Sequence, residues 1–349
     1  MEAWIEGLIA GVSLPVIFLI IAACIYVLGK GADILVAEAV TLSVRWGVPK
    51  LMIGATIVSL GTTLPEATVS VLAAVRGYPG LALGNAVGSV ICDTGLILGI
   101  ACVLQPLPLD RFVVNRQGWI QLGAGFLLVL ACFPYGSPES VWSQGGRLPR
   151  LVGVLFLGLL VVYLVLSIRW SRRANGGVSA MDTVHEDSTG AGVVLLKLAG
   201  GIVLVILASK VLIPTVTETA LRLKIPDSII AATVVAFGTS LPELVTALTA
   251  VRRGHGELAV GNVIGADILN VLFVAGAAAA VTSGGLAAPP QFFRMLFPAM
   301  LFDLIVFRLG IVFSGDRLKR PFGVVLLIAY LAITIISYIY HGAPAGHPH

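Results

Sequence analysis

A glutamate follows a proline at two places in a strongly apolar chain. Glu66 closes the sequence GTTLPE (61–66), and Glu243 closes the sequence GTSLPE (238–243). A proline within a helix removes one backbone hydrogen bond, so a carbonyl oxygen is left without its partner. Carbonyl, hydroxyl and carboxylate oxygens are the ligands that hard cations such as Ca²⁺ accept. Each motif therefore predicts a set of oxygen ligands for a cation.

Further oxygen-bearing side chains recur at fixed distances from both glutamates. The hydroxyls three and four residues before each glutamate share a helix face with its carboxylate. The residues 23 and 27 positions after each glutamate are four apart, so they share a face as well. One more acid lies 24 positions after the second glutamate. The candidate cation ligands at these positions are Glu66, Glu243, Thr62, Thr63, Thr239, Ser240, Ser89, Asp93, Asn270 and Asp267.

A carboxylate in an apolar span needs a positive partner. At the centre of a bilayer it costs between about 3 and more than 10 kcal/mol, and two close carboxylates cannot both stay ionised without a counter-charge. A visiting cation would supply that charge. A structural salt bridge is the alternative, with three candidate lysines in neighbouring spans: Lys30, Lys197 and Lys210. Three other acids are expected at helix ends or in packing contacts: Asp33, Glu38 and Glu218.

The two motifs belong to a longer internal repeat. When the sequence is shifted by 177 residues, 49–99 aligns without a gap on 226–276, and 20 of the 51 pairs are identical. Many identities fall on Gly, Pro, Thr, Glu and Asn, which a shared bias towards apolar residues would not match. The chain therefore contains two copies of one structural unit.

Paired glycines follow each motif at a spacing of four residues. They are Gly84 and Gly88 in the first copy and Gly261 and Gly265 in the second. Small residues at this spacing let two helices approach closely, so we expect tight helix packing there.

Hydropathy places these elements in a membrane. Of the 349 residues 58% are hydrophobic and 11% are charged, and the mean hydropathy is +1.01, unlike a soluble domain. Many apolar runs have about the 20 residues that a helix needs to cross a bilayer, and they lack the period-two alternation of a barrel. The predicted fold is an all-α integral membrane protein with ten transmembrane helices. The predicted spans are 12–43, 51–75, 81–104, 118–136, 151–168, 192–221, 227–251, 257–282, 295–313 and 321–340.

Five spans per copy put the second copy into the membrane upside down relative to the first. Alternate loops carry twelve basic residues against six in the opposite set, which predicts that the richer set is cytoplasmic and that both termini are extracytoplasmic. The predicted organisation is a first five-helix repeat (1–168), a cytoplasmic linker (169–190) and a second, inverted five-helix repeat (191–349). Inverted repeats of this kind are typical of secondary transporters, with a site near the midplane.

These motifs resemble those of a known family. GTTLPE…GNAVGS and GTSLPE…GNVIGAD are similar to the two α-repeats of the calcium/cation antiporter superfamily, whose best-known members are the sodium/calcium exchangers. The resemblance covers about 50 residues in each half, and the predicted inverted arrangement extends it to most of the chain. It implies Na⁺-driven Ca²⁺ extrusion by alternating access.

The resemblance also implies roles for individual residues. Both motif glutamates would ligate Ca²⁺ and Na⁺, and the backbone at Ser59 and Ala236 would line Na⁺ sites. The family usually carries Asn 27 positions after the first glutamate and Asn or Asp after the second, so Asp93 and Asn270 look exchanged here. The summed charge of the two positions would be unchanged, but the acid would lie in the opposite half. Ala266 lacks the hydroxyl that its counterpart in the first repeat supplies, so one Na⁺ site would lack a ligand.

The functional prediction is a secondary active antiporter that exchanges Ca²⁺ for Na⁺ in the plasma membrane. A Ca²⁺/H⁺ or K⁺-coupled antiporter on the same fold is the alternative. A passive cation channel is disfavoured by the inverted repeat, and an enzyme by the absence of a nucleophile-and-base set or an HExxH motif. The expected partners are Ca²⁺, Na⁺ and the lipid bilayer. In the alternative, H⁺ or K⁺ is a further expected partner. We expect no cofactor, nucleic acid or protein partner.

Overall fold

The structure is a computed structural model that describes residue 9 and residues 11–173, 190–222 and 238–342. Three parts of the predictions lie outside the described residues. They are Ala236, the first part of the second copy of the repeat (226–237), and most of the linker between the repeats.

The described chain is helical almost throughout. We number the helices in chain order and divide the second into two arms, α2a and α2b. The helices are α1 (Leu14–Trp46), α2a (Lys50–Thr62), α2b (Leu64–Val75), α3 (Pro79–Leu104), α4 (Arg111–Cys132), α5 (Arg150–Arg173), α6 (Ala191–Arg222), α7 (Leu241–Arg252), α8 (Gly256–Val281), α9 (Phe292–Phe313) and α10 (Arg320–Gly342).

Seven of the described helices are long and apolar enough to span a membrane, or eight when the two arms of α2 count as one span. The chain is thus a mostly helical membrane protein, while the count of ten spans stays a prediction. Helix α4 begins at Arg111, seven residues before the predicted start, and its first half carries Asn115, Arg116 and Gln117. The described part of α7 has only 12 residues.

The motif helices break where the prolines predict. The arms of α2 meet at Thr63 with a bend of 43°. Pro65 lies in the first turn of α2b, and Pro242 in the first turn of α7, where a missing N–H leaves no hydrogen bond unmade. Both helices that follow contain a π-helical stretch, Cys92–Leu98 in α3 and Asn270–Ala275 in α8. Such stretches occur often at functional sites.

Two short strand pairs each join two of the loops between the helices. Leu107–Pro108 pairs with Arg317–Leu318, and Gly146–Leu148 pairs with Leu286–Ala288, both antiparallel. Helix α3 ends just before the first pair, whereas α8 begins beside it and ends just before the second pair. Helices α3 and α8, which carry equivalent parts of the repeat, therefore run in opposite directions.

Helix α8 lies at the centre and packs closely on α2a. Every residue from Leu258 to Leu272 is buried. A Cβ added to Gly261 would lie 2.1 Å from the backbone oxygen of Leu51, and one added to Gly265 would lie 2.4 Å from the Oγ of Ser59. The paired glycines of the second copy thus permit the close approach that their spacing predicts. The same prediction is wrong for the first copy, because a Cβ on Gly88 would have no atom within 4 Å and one on Gly84 would lie 3.8 Å from the Phe292 ring. The packing of α8 on α2a brings the ligand-bearing faces of the two repeats together.

Candidate cation-binding site

The two motif glutamates lie at equivalent helix breaks and are almost fully buried. Glu66 and Glu243 are each 1% exposed. The Thr63 hydroxyl donates to Oε1 of Glu243 at 3.4 Å. Within the described residues, neither carboxylate oxygen of Glu66 has a hydrogen-bond partner, nor does Oε2 of Glu243. The two carboxylates are close enough to repel each other. Three buried acceptor oxygens are thus available to a cation.

Equivalent hydrogen bonds connect the two repeats in both directions. The Thr62 hydroxyl donates to the amide oxygen of Asn262 at 3.5 Å, and the Thr239 hydroxyl donates to the amide oxygen of Asn85 at 3.4 Å. Each residue in the second bond lies 177 positions from its equivalent in the first. The two halves therefore meet around a local pseudo-two-fold axis at the helix breaks.

The asparagines are functional candidates that the predicted ligand set omits. The Asn85 amide donates to the backbone oxygen of Glu66 at 3.3 Å and to the Ser70 hydroxyl at 2.9 Å. It thereby fixes the backbone at the break. The amide nitrogen of Asn262 has no partner in the described part of the chain. The signal in the sequence is the identical Gly-Asn pair in both repeats.

Asp93 and Asn270 are brought together at the start of the two π-helical stretches. The Asn270 amide donates to Oδ2 of Asp93 at 3.2 Å. Asp93 is close enough to Glu66 and Glu243 to repel both carboxylates, and it lies beside Ser240. Equivalent positions of the two repeats, carrying one acid and one amide, thus form a direct pair beside the glutamates.

Asp267 has a different environment from the other candidates. Its Oδ2 accepts hydrogen bonds from the Thr94 hydroxyl and, at 2.5 Å, from the Gln121 amide. Asp303 of α9 is close enough to repel it, and so is Asp93. Sequence reasoning missed Thr94, Gln121 and Asp303. The only signal is that each is a polar residue in an apolar span.

The remaining predicted residues take different positions. Ser59 is buried, and its hydroxyl donates to the Thr56 backbone oxygen at 3.3 Å. Ser89 is buried on α3, one turn before Asp93. Ala266 is buried on α8 at the position equivalent to Ser89.

The candidate lysines have other surroundings. Lys197 forms an ion pair with Glu38 at 3.5 Å, and the Lys30 ammonium lies 5.7 Å from the centre of the Tyr26 ring. Lys210 lines a cavity described below. Among the ion pairs between described residues, none joins a lysine to either motif glutamate. The salt-bridge alternative therefore has no support in the described part of the chain.

The other acids of the long first helices form ion pairs. Glu218 pairs with Arg222 within α6 at 2.7 Å. Asp33 on α1 pairs with Arg253, just after α7, at 2.7 Å. These contacts fit the predicted packing role.

A cavity of about 250 Å³ lies between α6 and both helix breaks. Its lining includes Pro65, Pro242, Thr239, Ser209 and Lys210. The cavity therefore reaches the two proline breaks from the α6 side.

The available ligands are of mixed chemistry. Within the described residues, no three His, Cys, Asp or Glu side chains converge as a metal cluster. A cation here would be held by carboxylates together with hydroxyl, amide and backbone oxygens. Such sets suit hard cations, whereas softer metals prefer sulfur and imidazole ligands.

Comparison with known proteins identifies the family. The family model described as "Sodium/calcium exchanger protein" matches residues 16–169 and 193–339. The inner membrane protein YrbG of Escherichia coli is 34% identical over 285 residues, covering 79% of this chain and 84% of that protein. The sodium/calcium exchanger MaX1 of Methanosarcina acetivorans is 29% identical over 346 residues, covering 92% and 98%.

A solved structure has the same fold. The sodium–calcium exchanger NCX_Mj, soaked with Na⁺ and Sr²⁺, superposes with a TM-score of 0.76 at 25% identity, covering 93% of this chain and 99% of that one. The match spans both halves, as the family model does. The chain therefore belongs to the sodium/calcium exchanger family, within the calcium/cation antiporters.

Proposed function

We propose that this protein is a secondary active antiporter that exchanges Ca²⁺ for Na⁺ by alternating access. The observation that carries the proposal is the pair of buried glutamates at equivalent helix breaks. Glu66 has two unpartnered carboxylate oxygens and Glu243 has one, and Thr63 of the first repeat donates to the other carboxylate oxygen of Glu243 in the second. A site shared between inverted halves near the midplane can be reached from either side of the membrane.

Electrostatics explains why the transported ions would exclude each other. Glu66, Glu243 and Asp93 repel one another in a buried pocket, so the empty pocket is costly. One Ca²⁺ or several Na⁺ ions would neutralise the same oxygens. The two ions therefore compete, and the protein changes its open side at low cost only when one of them is bound. This mutual exclusion produces antiport.

The packing of α1 and α6 supports a moving part beside this pocket. Leu28 and Ala32 of α1 form a small apolar cluster with Val205 and Ala208 of α6. Other residues of the two helices, among them Leu35 and Leu198, belong to the main core. The cavity beside α6 reaches both proline breaks. We propose that this helix pair slides along the rest of the bundle and opens the site to alternate sides.

We propose a plasma-membrane location, with both termini extracytoplasmic and the linker 169–190 cytoplasmic. The strand pairs support this topology. Leu107–Pro108 and Arg317–Leu318 belong to loops in the strongly basic set, and they pair with each other. Gly146–Leu148 and Leu286–Ala288 belong to the opposite set. Each pair thus joins two loops that the charge bias puts on one side of the membrane.

Flux into vesicles tests the function. Purified protein is reconstituted into liposomes, and ⁴⁵Ca²⁺ uptake is measured with Na⁺, K⁺ and H⁺ gradients imposed separately and with choline as the inert cation. We expect uptake driven by an outward Na⁺ gradient and lost in choline. The Glu66→Gln variant should lose uptake, whereas the Glu139→Gln variant, in an exposed loop, should keep it. Uptake without a Na⁺ gradient would contradict Na⁺ coupling.

The Ca²⁺/H⁺ or K⁺-coupled antiporter remains a second candidate. Asp267 and Asp303 add two buried carboxylates beside the central pocket. These additional carboxylates can bind protons or K⁺ as readily as they bind Na⁺. Uptake driven by the pH gradient or the K⁺ gradient alone, in the same vesicles, would favour this candidate.

A further inference from the structure

Helix α6 passes directly beside both helix breaks. A Cβ built on Gly61 of the first motif would overlap the Ile202 side chain, and one built on Gly238 of the second motif would lie 2.9 Å from Cδ1 of Ile213. Both motif glycines are therefore in close contact with side chains of α6. Lys210 lies between these two contacts along the helix. A basic residue is thus placed at the level of the site, on a helix that contacts both breaks.

Lys210 also lines the cavity between α6 and the breaks. The cavity has a volume of about 250 Å³, and its wall includes Thr239, a candidate ligand, together with the prolines that precede both glutamates, Pro65 and Pro242. Lys210 is half-buried there. A cation that moves through this cavity towards the glutamates therefore passes the lysine.

Lys210 brings a positive charge to the cavity wall. Among the described residues that line the cavity, it is the one that is charged. The hydroxyls of Ser209 and Thr217 on the same wall donate to backbone oxygens of α6 itself, at 2.8 and 3.0 Å. Among the ion pairs between described residues, none includes Lys210. A cavity that leads to two carboxylates is thus lined by a cation.

The internal repeat places this charge in one half only. The shift of 177 residues that aligns the motifs also places α1 on α6, and the position equivalent to Lys210 is Asp33. Asp33 forms an ion pair with Arg253. The position equivalent to Arg253 is Arg76, which has the same sign of charge as Lys210. Where one half has an ion pair, the other half therefore has two basic residues.

The cavity extends from the breaks towards one side of the membrane. Its wall includes Val69 of α2b and Thr217 of α6. Both lie beyond the level of the breaks, towards the ends of these helices at Val75 and Arg222. The charge bias of the loops predicts that these ends are extracytoplasmic. Lys210 then lies on the path between the site and the extracytoplasmic side.

We propose that Lys210 is a specificity-determining residue that lowers the affinity of the site for Ca²⁺ more than its affinity for Na⁺. Coulomb repulsion is proportional to the charge of the ion, so the ammonium repels Ca²⁺ with twice the energy with which it repels Na⁺. This bias favours the release of Ca²⁺ and the entry of Na⁺ along the cavity. The inference rests on the proposed function, because it concerns the balance between the two exchanged ions.

Cation binding to the purified protein tests the inference without transport. The melting temperature in detergent is measured as Ca²⁺ or, in a second series, Na⁺ replaces choline at constant ionic strength, which gives the half-saturating concentration of each ion. We expect Lys210→Met to lower this concentration about tenfold for Ca²⁺ and about threefold for Na⁺, since the removed repulsion is twice as large for the divalent ion.

Two matched variants control for the loss of a lysine as such. Lys210→Arg keeps the charge and should leave both half-saturating concentrations within about twofold of those of the unmodified protein. Lys30→Met removes an exposed ammonium that lies beside the Tyr26 ring on α1, so it should change neither concentration.

A series of charges at one position covers a Lys210→Met variant with an altered fold. Lys210→Cys is labelled with aminoethyl methanethiosulfonate, which attaches a positive group, or with sulfonatoethyl methanethiosulfonate, which attaches a negative one. The half-saturating Ca²⁺ concentration should be highest with the positive group and lowest with the negative group. The unmodified protein, in which all four cysteines are buried, serves as the labelling control.

Four results would overturn the proposal. They are an unchanged Ca²⁺ affinity in Lys210→Met, equal changes for Ca²⁺ and Na⁺, an effect of Lys210→Arg as large as that of Lys210→Met, and a Ca²⁺ affinity that does not follow the sign of the attached group. Failure of Na⁺-driven Ca²⁺ flux in the unmodified protein would instead contradict the proposed function and leave the binding result intact.

Discussion

The two copies of the repeated motif share their helix break but differ in the helix that follows. At the breaks, Glu66 matches Glu243, and the bonds Thr62–Asn262 and Thr239–Asn85 are equivalent. In α3 and α8 the side chains diverge. The unlike pairs that bear on the site are Ser89 and Ala266, Val90 and Asp267, Asp93 and Asn270, Thr94 and Val271.

This difference teaches that two tasks are separated along the motif. The breaks hold the two halves in register and present the glutamates, which requires the same residues in both copies. The following helices set the charge and the hydroxyl count around the ions. The two copies face each other across the pseudo-two-fold axis. A side chain that differs between α3 and α8 therefore makes the two sides of the site unequal.

The largest effect should come from the equivalent glutamates. Glu66→Gln and Glu243→Gln each remove one buried charged ligand, so each should lower Na⁺-driven ⁴⁵Ca²⁺ uptake more than about 100-fold. The two losses should be equal if both glutamates hold the same ion. Unequal losses would break the proposed equivalence, and a variant that keeps more than a tenth of the uptake would contradict the role of its glutamate as an ion ligand.

The Asp93–Asn270 pair tests whether charge count or charge position matters. Asp93→Asn removes one carboxylate from the pocket and should weaken the apparent Ca²⁺ affinity about tenfold. Adding Asn270→Asp restores the charge at the equivalent position and should recover the affinity to within about threefold, since the two residues are in contact. No recovery in the double variant would show that the position of the acid determines the affinity.

The asparagines at the breaks should give a smaller and unequal effect. Asn85 bonds Glu66, Ser70 and Thr239, whereas Asn262 has one described hydrogen bond, from Thr62. Asn85→Ala should therefore lower the apparent Ca²⁺ affinity about tenfold and Asn262→Ala several-fold less. Equal losses in the flux assay would contradict the importance of the additional bonds.

The smallest effect should come from an exposed ion pair that lies away from the motif glutamates. Asp33 and Arg253 are each about 40% exposed, and such pairs contribute about 0.2–1 kcal/mol. Asp33→Asn should lower the melting temperature by no more than about 2 °C and leave the apparent Ca²⁺ affinity unchanged. A change in affinity would show that this contact between α1 and the end of α7 affects the site.

The sequence by itself determined the features that its composition and its internal repeat make visible. Hydropathy indicated the membrane class, and two Pro-Glu motifs 177 residues apart indicated the helix breaks, the related halves and the central glutamates. It placed the start of α4 too late, because the polar first turns of that helix read as a loop until they pack against α9. The number of spans and the roles of the ligands stay predictions.

Only the tertiary structure decided which polar side chains meet. Thr94, Gln121, Asp267 and Asp303 come from four different helices, and a single polar residue in an apolar helix says nothing about its partner. The asparagines were visible as identities, but their bonds to the opposite repeat depend on how closely α8 packs on α2a. Local residue types set where a helix must break, whereas the contacts between helices depend on long-range packing.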